Sequence, residues 1–101
     1  MPILIRSLDM IECFAAETEK QDARLNKVYR ELMKALSPER KKQLQEAQRA
    51  WIKFRDANHS FCANPDGGST ATVNSNNYFM SATAARAKEI EDFKEIEGLN
   101  Y

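Results

Sequence analysis

No stretch of this sequence approaches the roughly 20 consecutive apolar residues that a bilayer-crossing helix requires, so no membrane span is expected. Glycine and proline number three each among 101 residues, too few for a collagen-like or low-complexity chain. Net charge is missing too, since fifteen basic residues balance fifteen acidic ones. Without a basic excess, binding to nucleic acid by bulk electrostatics is not expected. One histidine and two cysteines, with no paired-cysteine spacing, are too few for a zinc centre. The apolar run before Arg6 is shorter than the ~7–15-residue core of a secretory signal. As written, the chain would stay in the cytosol unless a signal has been removed.

What the sequence does contain is 43% hydrophobic and 30% charged residues, enough for one soluble domain with one modest core. Apolar residues recur at Leu8, Ile11, Phe14, Leu25, Val28, Leu32 and Leu36, the three-and-four spacing of a helix stripe. Ser37-Pro38-Glu39 then offers a capping oxygen, a proline suited to the first helical position and an acid for the positive helix end. A second helix is expected there, carrying Leu44, Trp51 and Phe61. Asn64-Pro65-Asp66-Gly67-Gly68-Ser69 is dense in turn formers, and the polar stretch after it lacks a helical period. The alanine-rich run from Ser81 resumes a helix that Gly98 should stop. The expected fold class is all-α, a single domain over residues 7–98. Its helices would span about 7–36, 38–63 and 78–97, with a long polar loop over 64–77 and tails at 1–6 and 99–101.

If the first two helices form an antiparallel hairpin about Ser37, facing residues have numbers summing to about 75 to 77, because both helices rise equally per residue. Leu32 then meets Leu44, and Leu25 meets Trp51. Cys13 meets Cys62, within reach of the geometry a disulfide needs; the alternative is two reduced thiols packed in a cytosolic core. In the same register Asp22 faces Arg55, and Arg86, Asn26 and Gln48 extend the pair into a polar network. A structural role suits Asp22 better than acid–base chemistry, because an arginine partner lowers a carboxyl pKa.

Catalytic constellations are wanting. His59, the only histidine, has no nucleophile pattern around it and reads as a surface residue near a helix end. Gly67-Gly68-Ser69-Thr70 lacks the lysine and the preceding strand of a phosphate loop. Neither an enzyme nor a cofactor site is expected. Residues 38–56 carry a positive excess and residues 88–97 a negative one, which favours the third helix lying near the second.

Taken together, Cys13, Asp22 with Leu25-Asn26 and Tyr29, the run Gln48-Arg49-Ala50-Trp51-Ile52-Lys53-Phe54-Arg55-Asp56-Ala57, Gly67-Gly68-Ser69, and Thr83 with Arg86 resemble the LprI-type lysozyme-inhibitor-like family. The resemblance covers about residues 10–95. It implies a small exported bacterial domain, periplasmic or secreted, whose signal has been removed. Its expected partner is a protein, a basic lysozyme-like muramidase, met by a monomer through the 64–77 loop. The candidate contacts are Asp66, Gly67, Gly68 and Ser69, with Glu89, Glu91, Asp92 and Glu95 steering association. Members of that family commonly place one cysteine soon after the Arg-Asp-Ala triplet and another in the third helix. Here His59 stands near the first place and Phe79-Met80 near the second, which leaves one bridge at most. An envelope protein with another partner and a small cytosolic helical adaptor remain open alternatives.

Overall fold

The computed structural model describes residues 7–98; the expected tails at 1–6 and 99–101 lie outside the described residues. Three long helices and one turn of 3-10 helix account for nearly all of them: α1 Ser7–Ala35, α2 Pro38–Cys62, the 3-10 turn Pro65–Gly67, and α3 Gly68–Ile96. No strand occurs among the described residues. Each boundary has a local cause. Ser37 sits in extended backbone, and its Oγ accepts a hydrogen bond from the Arg40 N–H at 3.3 Å, with Pro38 following at the first helical position. Asn64 Oδ1 accepts from the Asp66 N–H at 3.0 Å and opens the 3-10 turn. Gly98, at φ 77°, ends α3 in the left-handed region with its N–H donated to the Glu95 carbonyl at 3.0 Å.

The third helix begins ten residues earlier than expected, at Gly68 rather than 78, so the long polar loop does not exist. Threonine, serine and asparagine have weak helix propensity, and a run of them resembles a loop. In the structure their side chains turn back onto their own helix. Ser75 Oγ and Asn76 Nδ2 both donate to the Thr72 carbonyl, at 2.9 and 2.8 Å. Ala71, Val73 and Ser75 are buried, so the segment is held by packing of small side chains.

That extra length makes α3 the hub. Its close backbone approaches run along α1 and, less extensively, along α2. Arg24 pairs with Glu91, and Glu31 with Lys94; both numbers rise together, so α1 and α3 run parallel. Gln48 meets Arg86, and Asn58 meets Tyr78; here one number falls as the other rises, so α2 and α3 run antiparallel. The molecule is correspondingly long and thin, 57 × 27 × 16 Å. Its core gathers at one end, where Leu25, Val28 and Leu32 of α1, Leu44 of α2 and Ala87 and Ile90 of α3 form one cluster flanked by Tyr29, Trp51 and Phe93.

The expected hairpin therefore holds only near the turn, where Leu32 and Leu44 share the core. Farther out, α1 and α2 each lie on α3 rather than on one another. Cys13 and Cys62 are accordingly free thiols and not near each other. The disulfide expected between them is not formed, because α1 spends its length against α3.

Candidate functional site

Two groups of side chains stand out from the plain packing of the bundle. The first lies along the α2–α3 seam. Trp51 and Arg55 are one turn apart on α2, and the Arg55 guanidinium carbon stacks 4.7 Å from the Trp51 ring centre and 4.1 Å from that of Phe79. His59, one further turn along, meets the same Phe79 ring edge-on at 5.3 Å. Arg86 approaches Trp51 and Phe93 at 5.8 and 5.7 Å. Cation–π contacts of this kind strengthen as the site loses water, and Arg86 is only 7% exposed.

Arg86 is anchored by its Nε–H, which donates to Gln48 Oε1 at 3.0 Å, and by Nη1, which donates to Glu89 Oε1 at 2.5 Å. Its Nη2 is buried without a partner. A buried, unpaired donor is destabilising, offset here by the ring faces around it. The expected network is thus only partly assembled: Gln48 joins Arg86, and Arg55 shares Trp51 with it. Asp22 is exposed on α1, where it accepts a 3.5 Å hydrogen bond from Asn26 one turn on. Arg55 turns instead to Asp56 at 3.1 Å. Asp22 and Arg55 miss each other for the same reason as the cysteines. His59, expected on the surface, is half-buried against Phe79. The signal overlooked in the sequence is the four-residue ladder Trp51, Arg55, His59, which sets ring, guanidinium and ring on one face of a helix.

The second group is the corner where α2 passes to α3. Ser60, Phe61, Cys62, Asn64, Pro65, Thr70 and Asn74 surround an open recess of about 560 Å³ there. Gly67 also lines it, and Asp66, Gly67, Gly68 and Ser69 are all exposed. Gly67 is needed for close approach, since a Cβ there would sit 2.6 Å from the Ala71 Cβ. Gly68 supplies the φ of 61° that redirects the chain into α3. The corner is therefore a short turn rather than a long loop, with the exposed Asp66 within it.

The acids expected to steer a partner lie elsewhere. Glu89, Glu91, Asp92 and Glu95 stand 21 or more helical residues beyond Gly68, roughly 30 to 40 Å along α3. Most are already engaged: Glu91 with Arg24, Asp92 with Lys88 and Glu89 with Arg86. The Arg24 hydrogen bond holds the Glu91 carboxyl below its ordinary value. No helix among the described residues is long and apolar enough to cross a membrane. No group of three or more His, Cys, Asp or Glu side chains there could hold a metal ion.

Among known protein families, the model described as lysozyme inhibitor LprI matches residues 5–90. That span takes in α1, α2, the corner and most of α3. No curated protein and no solved structure matches the chain.

Proposed function

The chain belongs to the LprI lysozyme-inhibitor family, and on that premise we propose that it is a non-enzymatic, exported binding protein that blocks a lysozyme-like muramidase. The family match is the observation that carries this reading. Such enzymes cleave their glycan between two carboxyl groups in an open cleft, so a blocker needs a rigid projection narrow enough to enter it. The α2–α3 corner has that form. Its 3-10 turn is held by Asn64, whose Oδ1 accepts from the Asp66 N–H and whose carbonyl accepts from the Gly67 N–H, both at 3.0 Å. Little conformational freedom remains to be lost on binding, which favours affinity.

Asp66 is an exposed charge of the corner and suits a basic partner, while the acids of distal α3 lie far from it and three of the four are already paired. Export to the periplasm or beyond rests on the family alone, because two separated thiols do not call for an oxidising compartment.

The test is turnover of a basic muramidase on cell-wall substrate. Wild-type protein should inhibit at micromolar concentration. Asp66→Lys should weaken inhibition tenfold or more at low salt, with the far-ultraviolet circular dichroism unchanged. No inhibition at high micromolar concentration would overturn the proposal.

A further inference from the structure

The recess at the α2–α3 corner, about 560 Å³ in volume, is lined by polar groups that the fold itself does not use. Thr70 and Asn74, four residues apart, present a hydroxyl and an amide from one face of α3, and Ser60 and Asn64 bring the same two groups from the end of α2 and the turn after it. The side chains of Ser60, Thr70 and Asn74 form no hydrogen bond within the chain among the described residues, and Asn64 engages only its Oδ1, which accepts from the Asp66 N–H. Their neighbours on α3 behave differently. Thr72, Ser75 and Asn76 turn back and donate to carbonyls of the same helix, at 3.4, 2.9 and 2.8 Å. Thr70 and Asn74 leave theirs open towards the recess.

Phe61, 84% exposed, adds a bare ring to the same lining. No Asp, Glu, Lys, Arg or His side chain lines the recess among the described residues, so a charged ligand would lose water there and gain no ion pair. A purely apolar ligand would cover the four polar groups and leave them unpaired. The lining matches a neutral ligand with polarised C–H groups on one side, to lie on the negative face of an aromatic ring, and groups around its edge that both donate and accept. An extended peptide brings amides without that flat C–H face. An N-acetylated sugar has both.

We propose that the corner recess binds a neutral glycan carrying N-acetyl groups, with Phe61 stacked on one sugar ring and the amides of Asn64 and Asn74 hydrogen-bonded to its acetamido and hydroxyl groups. Its volume falls within the roughly 300–1,000 Å³ of small-molecule sites, and because it is open to solvent the rest of a glycan chain can continue outside it. A site that covers only part of its ligand gains little beyond the cost of ordering it, so a Kd on the order of 1 mM is expected. The proposal rests on the recess lining and is independent of the muramidase reading: Asp66, the charge given to that contact, is not among the side chains that line the recess.

Titration of the ¹⁵N-labelled whole chain with N-acetylglucosamine tetrasaccharide to about 10 mM, followed through its amide resonances, tests the site directly. Saturable shifts are expected at residues 60–64 and 70–74 and at the side-chain amides of Asn64 and Asn74, with Phe54 and α1 unmoved. Phe61→Ala should weaken binding roughly tenfold and Asn74→Ala roughly fivefold, each with an unchanged far-ultraviolet spectrum because both side chains are exposed. Phe54→Ala, which removes a ring of the same helix outside the recess, should bind as wild type does. A glucose tetrasaccharide, with hydroxyls but no acetamido groups, should bind about fivefold more weakly or worse. Absence of saturable shifts, shifts centred elsewhere, wild-type affinity in either recess variant, or equal affinity for the two tetrasaccharides would each overturn the proposal. No enzyme is present in this titration, so its failure and a failure of muramidase inhibition are read separately.

Discussion

The two ends of this bundle are built differently. At the end where α1 turns into α2, the buried aliphatic residues of all three helices meet, and three ion pairs tie helix to helix: Arg24–Glu91, Glu31–Lys94 and Arg40–Glu97. At the other end α3 buries only Ala71, Val73 and Ser75, while Leu8 and Phe61 stand exposed. The polar link between helices there is the 2.9 Å hydrogen bond from Asn58 Nδ2 to the Tyr78 hydroxyl. One end supplies the stability of the fold, and the other displays surface. A domain with a single compact core at one end can leave apolar side chains such as Leu8 and Phe61 open at the far end without unfolding, and the corner draws on that freedom.

Deleting side chains at the two ends is the strongest way to break this comparison. Ile90 is fully buried, and Ile90→Ala removes three methyl or methylene groups from the tightest part of the core, so it should cost about 3–4 kcal/mol. Leu8→Ala, of similar chemistry at the open end, should cost less than ~0.5 kcal/mol, as for surface substitutions. Urea denaturation of both variants gives the two values. Equal losses would mean that the open end carries as much of the fold as the closed one.

The corner provides a sharper intermediate case, since it belongs to the open end yet contains one tight contact. Gly67→Ala should cost about 1–2 kcal/mol, because its new Cβ would lie 2.6 Å from that of Ala71 on a helix that has little room to shift. Combining it with Ala71→Gly should destabilise by less than the sum of the two single changes, since the second removes the collision. Thermal unfolding of the four proteins closes the cycle. Strict additivity would show that the corner is soft and would weaken its part in the proposed inhibition.

The same division between the ends governs how much could be read from the residues alone. The closed end was legible. Its helix stripes, the Ser37-Pro38 cap and the meeting of Leu32 with Leu44 follow from local chemistry and the apolar period. The open end was not, because two of its determinants are non-local. Residues 69–77 have the composition of a loop and become helical only through burial against neighbours and side-chain bonds to their own backbone. Once α3 gains that length it can run the whole of α1, and the hairpin pairing of Cys13 with Cys62 and Asp22 with Arg55 gives way to two helices each packed on a third. The candidate corner at 66–69 kept its position through this change, because Asn64, Pro65 and the two glycines act within a few residues. The Trp51, Arg55 and His59 ladder was visible in principle as a four-residue repeat, but its partner Phe79 lay in the segment next to the misread boundary.

The smallest expected effect concerns the ion pairs of the closed end, and it separates charge from packing there. Arg24 grips Glu91 through Nε at 3.0 Å and Nη2 at 2.5 Å, and that hydrogen bond lowers the Glu91 carboxyl pKa while raising that of the guanidinium. The folded protein therefore binds the carboxyl proton more weakly than the unfolded chain does. The pair's stabilisation is fully present above the ordinary glutamate value, about 4.3, and is lost as pH falls through the lower folded value. Both side chains are more than a third exposed, at 37% and 35%, so solvent screening keeps the contribution below ~1 kcal/mol. Glu91→Gln should lower Tm by roughly 2–4 °C at pH 7, and the gap to wild type should close as the pH is taken down to about 2. A gap that persists unchanged across that range would assign the effect to the hydrogen-bond geometry at Arg24, where an amide offers one acceptor in place of two, and not to the carboxylate's charge. The closed end would then be held by its aliphatic core alone, with its ion pairs serving only to set which helix lies beside which.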